Sequence, residues 1–308
     1  MRPLTVSIFN SDNMKYVKNK LFALSLLCLS VDVYSANLVV GTYNIDAKVM
    51  GDHLAQKKLM LNSNVDIFGL QEVNYNNERF ADKNVHKYNS LSKFTDDFYK
   101  YSYYGNALKF ASGGYGIATV SSMPFKSEKS VHLVLNEISQ KYISEFEKAH
   151  SEYDPTKPET MSALDAMWKA RKGIMEPRIY TRVVIEKDGE EIAFYNTHLS
   201  VNPEDIKKKQ IKQLINVMLS DPVKYKILVG DFNANQSTVE WDVWRENFNI
   251  ANGADHIFYD TYIQESPDMK VKSVDNIIVS KNIVIKSVHK IPSSLSDHVP
   301  LIAELEFH

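Results

Sequence analysis

The chain has 308 residues, one cysteine and a formal net charge of −2, with 36 Lys+Arg against 38 Asp+Glu. That length holds one large domain with a sizeable core or two small ones, and the near-even charge offers no global attraction for a polyanion. With Cys28 as the only cysteine, an intrachain disulfide and a thiolate zinc site are both excluded.

Starting at Met14, the chain reads Lys15, Lys18 and Lys20, then the apolar run Leu21 to Val31, then Val33-Tyr34-Ser35-Ala36. This is the order of a charged n-region, an apolar h-region and a small-residue cleavage site. The expected cut follows Ser35, because Val33 and Ser35 suit the two recognition positions and bulky Tyr34 does not. Residues 1 to 13 lack signal character, so they read as an upstream extension and Met14 as the better start. A run of about 11 residues is too short to span a bilayer. The expectation is a mature domain over residues 36–308 that is secreted or periplasmic, monomeric and not inserted in a membrane.

From Asn37 onward, short apolar runs bounded by Gly, Asn, Asp and Pro alternate with helical stretches, the pattern of an α/β domain. Strands are expected over Leu38–Tyr43, Val65–Gln71, Tyr115–Ser121, Thr181–Glu186, Ile192–Thr197, Lys226–Gly230, Val274–Val279, Ile283–Lys290 and Leu301–Glu306. Helices are expected over Asp52–Asn62, Pro203–Leu219 and Val239–Phe248. Lys187-Asp188-Gly189-Glu190 is a hairpin signal, since Asp-Gly supplies the positive φ angles of a tight turn. It excludes a purely parallel sheet and points to two mixed, mostly antiparallel sheets packed face to face with helices outside.

Residues 126–177 break the rhythm and read as a helical insertion, with stretches Asn136–His150 and Met161–Lys172 around the turn Asp154–Pro158. Tyr142, Ile143 and Phe146, then Leu164, Met167 and Trp168, recur at helical spacing, so each helix is expected to bury one stripe. The plain reading packs the pair on the outer surface and on each other. Arg178 at its exit raises a second, that the insertion gates a cleft.

Several apolar strands end in acids, amides or imidazoles: Thr42-Tyr43-Asn44, Leu70-Gln71-Glu72-Val73, Asn196-Thr197-His198, Gly230-Asp231-Phe232-Asn233, Val274-Asp275-Asn276 and Ser296-Asp297-His298. Placed just past buried strands, such groups stand on a rigid edge. An isolated Asp-Phe-Asn is better explained as a turn, and Asn44 or Asp297 as a cap; recurrence at six places in one chain is what carries weight.

This ordered set, with Gly116-Ile117-Ala118-Thr119-Val120-Ser121, Arg178 and Val299-Pro300, resembles the endonuclease/exonuclease/phosphatase superfamily from about Leu38 to Phe307. Deoxyribonucleases, abasic-site endonucleases, bacterial sphingomyelinases, inositol-polyphosphate phosphatases and a toxin subunit belong to that superfamily. The resemblance implies a four-layer α/β/β/α sandwich and divalent-metal-dependent hydrolysis of phosphate esters. It gives Glu72 the main metal role, with Asn44 beside it and Asp297 as a further ligand. Mg²⁺ is the expected ion, with Mn²⁺ or Ca²⁺ as alternatives, because hard cations take oxygen ligands. By the same resemblance Asp231 positions or activates the attacking water, Asn233 bonds the phosphate, His198 stands over it, and His298 holds its non-bridging oxygens or serves in proton transfer. Asp275 orients His298, and Arg178 contacts phosphate, although Arg182 competes for that assignment.

His53, His86, His132, His150, His256, His289 and His308 lack a paired acid motif and read as surface or packing residues. Gly113-Gly114-Tyr115-Gly116 reads as a turn feeding a strand and a wall of the substrate cleft. Trp241 and Trp244 fit a helix face packed on a sheet better than a membrane anchor, which weakens a sphingomyelinase reading. Lys207-Lys208-Lys209 with Lys169, Arg171 and Lys172 are candidates to flank a nucleic-acid cleft, although a lysine run on a helix is more often a solvated face; the resemblance leans the substrate reading to a phosphodiesterase or nuclease. A phosphoinositide or nucleotide phosphatase is the alternative, and a catalytically silent secreted binding or toxin subunit is the reading outside enzymes.

Overall fold

A computed structural model describes residues 36–201, 203–234, 241–265 and 272–307. The expected signal segment 14–35 and the start of the helix expected from Val239 lie outside the described residues. Twelve strands form two six-stranded sheets among them. The first has the order β11-β12-β1-β2-β4-β3, from Ile283–Lys290, Leu301–Phe307, Ala36–Asn44, Ile67–Tyr75, Gly113–Ser121 and Tyr101–Phe110. The second has the order β5-β6-β7-β8-β10-β9, from Ser127–His132, Ile179–Lys187, Glu190–His198, Tyr225–Asp231, Asp275–Ser280 and Phe248–Ile250.

Alternation along the strands divides the core. On β7, Ile192 and Phe194 face the other sheet, whereas Ala193 and Tyr195 face outward. The inner layer joins Leu38, Val40 and Leu305 of one sheet to Val183, Ile227 and Ile277 of the other. Helix α4 (Glu204–Ser220) covers the second sheet with Ile211, Leu214, Ile215 and Met218, the three-and-four spacing of one helix face. Trp241 and Trp244 are fully buried in the same layer, as expected. Helix α1 (His53–Asn62), capped by Asp52 accepting from the Ala55 amide at 2.9 Å, places Met60 against Phe68 and Val65 on the first sheet. The result is the expected α/β/β/α sandwich.

Most pairs are antiparallel. The exceptions are β1 with β2, joined through α1, and β7 with β8, joined through α4. In each parallel pair both strands end at the same edge. The antiparallel neighbours β10 and β12 begin where β8 and β1 end, so their preceding loops reach that edge too. This connectivity brings motifs far apart in sequence to one rim.

Just beneath the rim the two sheets are pinned by buried amides. Gln71 Nε2 donates to Asn196 Oδ1 at 2.8 Å, and Asn196 Nδ2 donates to the carbonyls of Leu70 and Ala118 at 3.0 and 2.9 Å. Gly69 permits this approach, because a Cβ there would stand 2.6 Å from Asn196 Oδ1 and from Val229 Cγ2.

The Asp188-Gly189 hairpin appears as expected, with positive φ at both residues (53° and 85°). Three strands were not expected. β5 and β3 are sheet edges of polar or mixed composition, so they carry no clean apolar period, and β9 is three residues long. Since β5 occupies 127–132, the expected insertion 126–177 is helical only in α2 (Glu137–Glu152) and α3 (Pro158–Ala170). Helix α5 is described over Asp242–Asn247 and ends before Phe248, which enters β9. No described helix is long and apolar enough to cross a membrane.

Candidate active site

The strand ends enclose a cavity of about 470 Å³ whose lining includes Asn44, Glu72, Arg178, His198, Asp231, Asn233, Asp297 and His298. Asp275 lies directly behind His298. The structure therefore brings together all nine residues singled out by sequence.

Register explains much of it. On β8, Asp231 is the partner of His198 on β7 and of Asp275 on β10. Asn44 at the end of β1 crosses between sheets, and its Nδ2 donates to Asp231 Oδ2 at 3.0 Å and to Glu72 Oε1 at 3.3 Å. Glu72 sits in a bulge of β2 between Leu70 and Val73, with φ of 60°. A left-handed glutamate costs about 1 kcal/mol or more and persists where the surroundings over-determine it. Here the bulge turns the carboxylate into the cavity, where Oε2 accepts from the Ala47 amide at 3.0 Å. The Asp297-His298 loop is tied to β1 by Ser296, whose Oγ donates to the Asn44 carbonyl at 2.8 Å.

Asp231 is buried. Burial and then Asp275 raise its pKa from 3.8 to about 7, against the opposing effects of His298 and hydrogen bonds from Asn233 N–H and Asn44. Its protonated form is thereby favoured well above the usual carboxylate range. Burial alone would neutralise His298, but Asp275, Asp231 and the 2.8 Å Nδ1···Asp275 Oδ2 bond carry its pKa up to about 10. The neighbouring carboxylates thus favour its protonated form. His198 goes the other way: burial first, then Arg178 and His298, push it well below 6.5. Two donors flank its ring, Arg178 Nη1 at 3.1 Å from Nδ1 and Asn233 Nδ2 at 3.0 Å from Nε2, and a neutral imidazole accepts from only one of them.

Arg178 holds the position by Nη1 to His198 and by Nη2 lying 3.6 Å from Glu176, while its Nε is buried with no partner. Arg182 instead forms an ion pair with Asp221, with Nε 2.6 Å from Oδ2, and Arg178 is the one of the two that lines the cavity. Lys207 Nζ donates to the Asn233 carbonyl at 2.6 Å and holds the loop after β8.

Asp46, Glu72 and Asp297 crowd one side of the site, and none of them has an ion pair among the described residues. Burial first, and then Asp46 and Glu72 against the pull of His298, raise the Asp297 pKa. Unpaired carboxylates sharing a partly buried space, with the Asn44 side chain between them and Asp231, suit a hard divalent cation. A second cluster is present: Asp231, Asp275 and His298 bring one ligand atom each to within 4.8 Å of one another.

Several lining residues lie outside those that the sequence singles out, among them Lys48, Arg79, Leu108, Phe110, Glu176 and Tyr262. His150 was assigned to packing, and it does stack on Phe146 with centroids 4.0 Å apart. It also lines the cavity. Tyr115 forms a wall, as its position suggested. The helical pair packs on itself through Phe146 and Trp168 and seats Phe146 and Met167 against Leu108, Phe110 and Tyr115 at the cleft. Trp168 is 38% exposed rather than buried in the expected stripe.

Strand-end acids, amides and imidazoles around one pit on a four-layer sandwich define a phosphoester hydrolase type of site. A sequence profile of the endonuclease/exonuclease/phosphatase family matches residues 41–298, and the chain belongs to that family. The family consists of phosphoester hydrolases that use divalent metals. No curated protein matches the chain. Among solved structures it is similar to a family member from Leptotrichia buccalis, with 18% identity and TM-score 0.60 over 88% of this chain and 100% of that one. It is also similar to the human Nocturnin catalytic domain with bound sulfate, with 16% identity and TM-score 0.57 over 88% and 95% of the two chains. A mannosyl-6-phosphatase from Bacteroides thetaiotaomicron gives 16% identity and TM-score 0.56 over 87% and 99%. At such identities the likeness is one of fold.

Proposed function

We propose that the chain is a divalent-metal-dependent phosphoester hydrolase in which Asp231 deprotonates the attacking water. The single observation that carries this reading is the meeting of Glu72, Asn44, Asp297, Asp231, Arg178 and both imidazoles on one cavity. Asn233 and Asn44 hold Asp231 in place, and the carboxylate takes the proton as the water oxygen bonds to phosphorus and the ester oxygen leaves. Charged His298, fixed by Asp275, hydrogen-bonds the phosphoryl oxygens. Arg178, whose buried Nε has no protein acceptor, supplies a further donor to them. Neutral His198 shares the phosphate with Asn233.

Glu72 and Asn44 would hold the metal, with Asp297 as a further oxygen ligand. Bound there, Mg²⁺ or Mn²⁺ would neutralise charge on the phosphoryl oxygens and the leaving group. The Asp231, Asp275 and His298 cluster suits proton chemistry instead, because an imidazolium has no lone pair to offer a cation.

The sequence reading leans to nucleic acid phosphodiesters. Within its basic tracts Lys207 is buried against the Asn233 loop, while Lys209 and Arg171 form surface ion pairs with Asp205 and Glu145. A cavity of about 470 Å³ with Tyr115 and His150 among its walls favours the second reading, a compact phosphate ester such as a nucleotide or other small phosphate.

The test is a panel of plasmid DNA, RNA, nucleotides, phosphoinositides and sphingomyelin with Mg²⁺ or Mn²⁺ and a matched EDTA control. Chelator-sensitive turnover that His198→Ala or Asp231→Ala abolishes is the expected result; no turnover on any substrate would favour a silent binding protein. Export is part of the proposal and rests on residues 14–35. N-terminal sequencing of the protein recovered outside the cytoplasm should begin near Ala36, and an unprocessed N-terminus there would refute it.

A further inference from the structure

Part of the cavity comes from outside the strand-end motifs: Arg79 in the loop after β2, Phe110 and Tyr115 at the β3–β4 turn, and His150 on α2. Arg79 is built into position. Its Nε donates to Asn74 Oδ1 at 2.8 Å, its backbone N–H donates to Asn77 Oδ1 at 3.2 Å, and its guanidinium stands 4.2 Å from the Phe110 ring centroid. Asn74 and Asn77 are buried and locked in turn. Asn77 Nδ2 donates to Asn74 Oδ1 at 2.9 Å and to the Gly114 carbonyl at 2.8 Å, and Asn74 Nδ2 donates to the Ala47 carbonyl at 3.0 Å.

This scaffold consumes only Nε. Among the described residues, Arg171, Arg178, Arg182 and Arg245 each have a carboxylate within ion-pair distance, and Arg79 is the one arginine that has none. A guanidinium held at Nε and backed by a ring keeps its two terminal nitrogens for an anion, in the fork geometry that fits phosphate. A surface arginine loses side-chain entropy on being fixed, and this one is fixed beside the same cavity as Arg178.

We propose that Arg79 anchors a second anion subsite, so that the substrate is a compact phosphate ester carrying a second phosphate group. The inference rests on the hydrolase reading above: the scissile phosphate takes the pole of Arg178, His198 and His298, and the second phosphate takes Arg79. Phe110, Tyr115 and His150 wall the space around Arg79 and keep bulk water off the ion pair.

Two matched pairs test it: adenosine 5′-monophosphate with adenosine 3′,5′-bisphosphate, and glucose 1-phosphate with glucose 1,6-bisphosphate. Initial rates are measured in Mg²⁺ and binding by calorimetry in Ca²⁺. The wild type should favour the bisphosphate of at least one pair by roughly ten- to hundredfold. Arg79→Met should bring that ratio close to one, chiefly through KM, and Arg79→Lys should restore part of it. A merely structural Arg79 would lower both members of a pair alike and leave the ratio intact. A wild-type ratio near one for both pairs, or a preference that survives Arg79→Met, overturns the inference. If nothing is turned over, the hydrolase reading fails, while the calorimetric ratio still decides whether the subsite exists.

Discussion

His198 and Asp231 are register partners on the parallel strands β7 and β8, with Nε2 3.5 Å from Oδ2. Neither is placed by a loop. The ladder sets their separation, and Asp231 sits between His198 on one neighbour and Asp275 on the other. A carboxylate so enclosed cannot keep the hydration that would stabilise its charge, and this is why its proton affinity is tuned to neutral pH.

The first prediction follows from that tuning. With the Asp231 pKa raised to about 7, its basic form grows as pH rises, so kcat/KM should climb through an acid limb centred near neutrality. A cation at Glu72 would move the limb to lower pH. For stability the sign is opposite: a raised folded-state pKa gives a contribution present below the ordinary value of 3.8 and lost as pH rises through about 7. A pH–rate profile flat from about pH 5 to 8 would contradict the assignment of Asp231 as base.

Asp275 is predicted to act through His298. Asp275→Asn removes the charge that most favours the imidazolium, so the His298 pKa should fall from about 10 and kcat should drop roughly a hundredfold or more. NMR titration of the ring with steady-state kinetics measures both. The contribution of His298 to stability, present below 6.5 and lost as pH rises through about 10, should diminish in the same variant. Retained activity with an unchanged ring titration would count against the pair.

The amide staple between the sheets is predicted to matter for stability first. Asn196→Ala strips partners from the buried Leu70 and Ala118 carbonyls and from Gln71, and should cost about 2–4 kcal/mol in chemical denaturation. A loss below about 1 kcal/mol would mean that water replaces the amide.

The helical pair can be replaced by a short link, because Asn136 Nδ2 donates to the Gly173 carbonyl at 2.8 Å and the two ends of the segment therefore meet. Replacing 137–172 by a short glycine linker retains strand β5 and removes His150 from the cavity. The predicted outcome is a rise in KM for compact esters with a smaller change in kcat. Unaltered kinetics and substrate preference would show that α2 and α3 have no role at the cleft.

The catalytic pole was legible because each of its residues follows or precedes an apolar strand, so local pattern alone placed Asn44, Glu72, His198, Asp231 and His298 at sheet edges. Edge strands β3 and β5 were not, since one face of an edge is solvated and Ser127–His132 carries almost no apolar residue. Arg79 and His150 were hidden for a different reason. Their place in the cavity depends on where the loop after β2 and the inserted helix dock, which long-range packing of Phe146 on Phe110 and Leu108 decides. The partners of the basic tracts were hidden in the same way, because ion pairing within helix α4 and between the inserted helices takes shape only once the helices exist.

The most direct measurement is anomalous diffraction from crystals soaked in Mn²⁺. The account predicts a peak at coordination distance from the Glu72 carboxylate, with Asn44 and Asp297 about it and the Asp231, Asp275 and His298 cluster free of metal. A peak seated on that cluster instead, or no bound ion at Glu72 at saturating Mn²⁺, would contradict it.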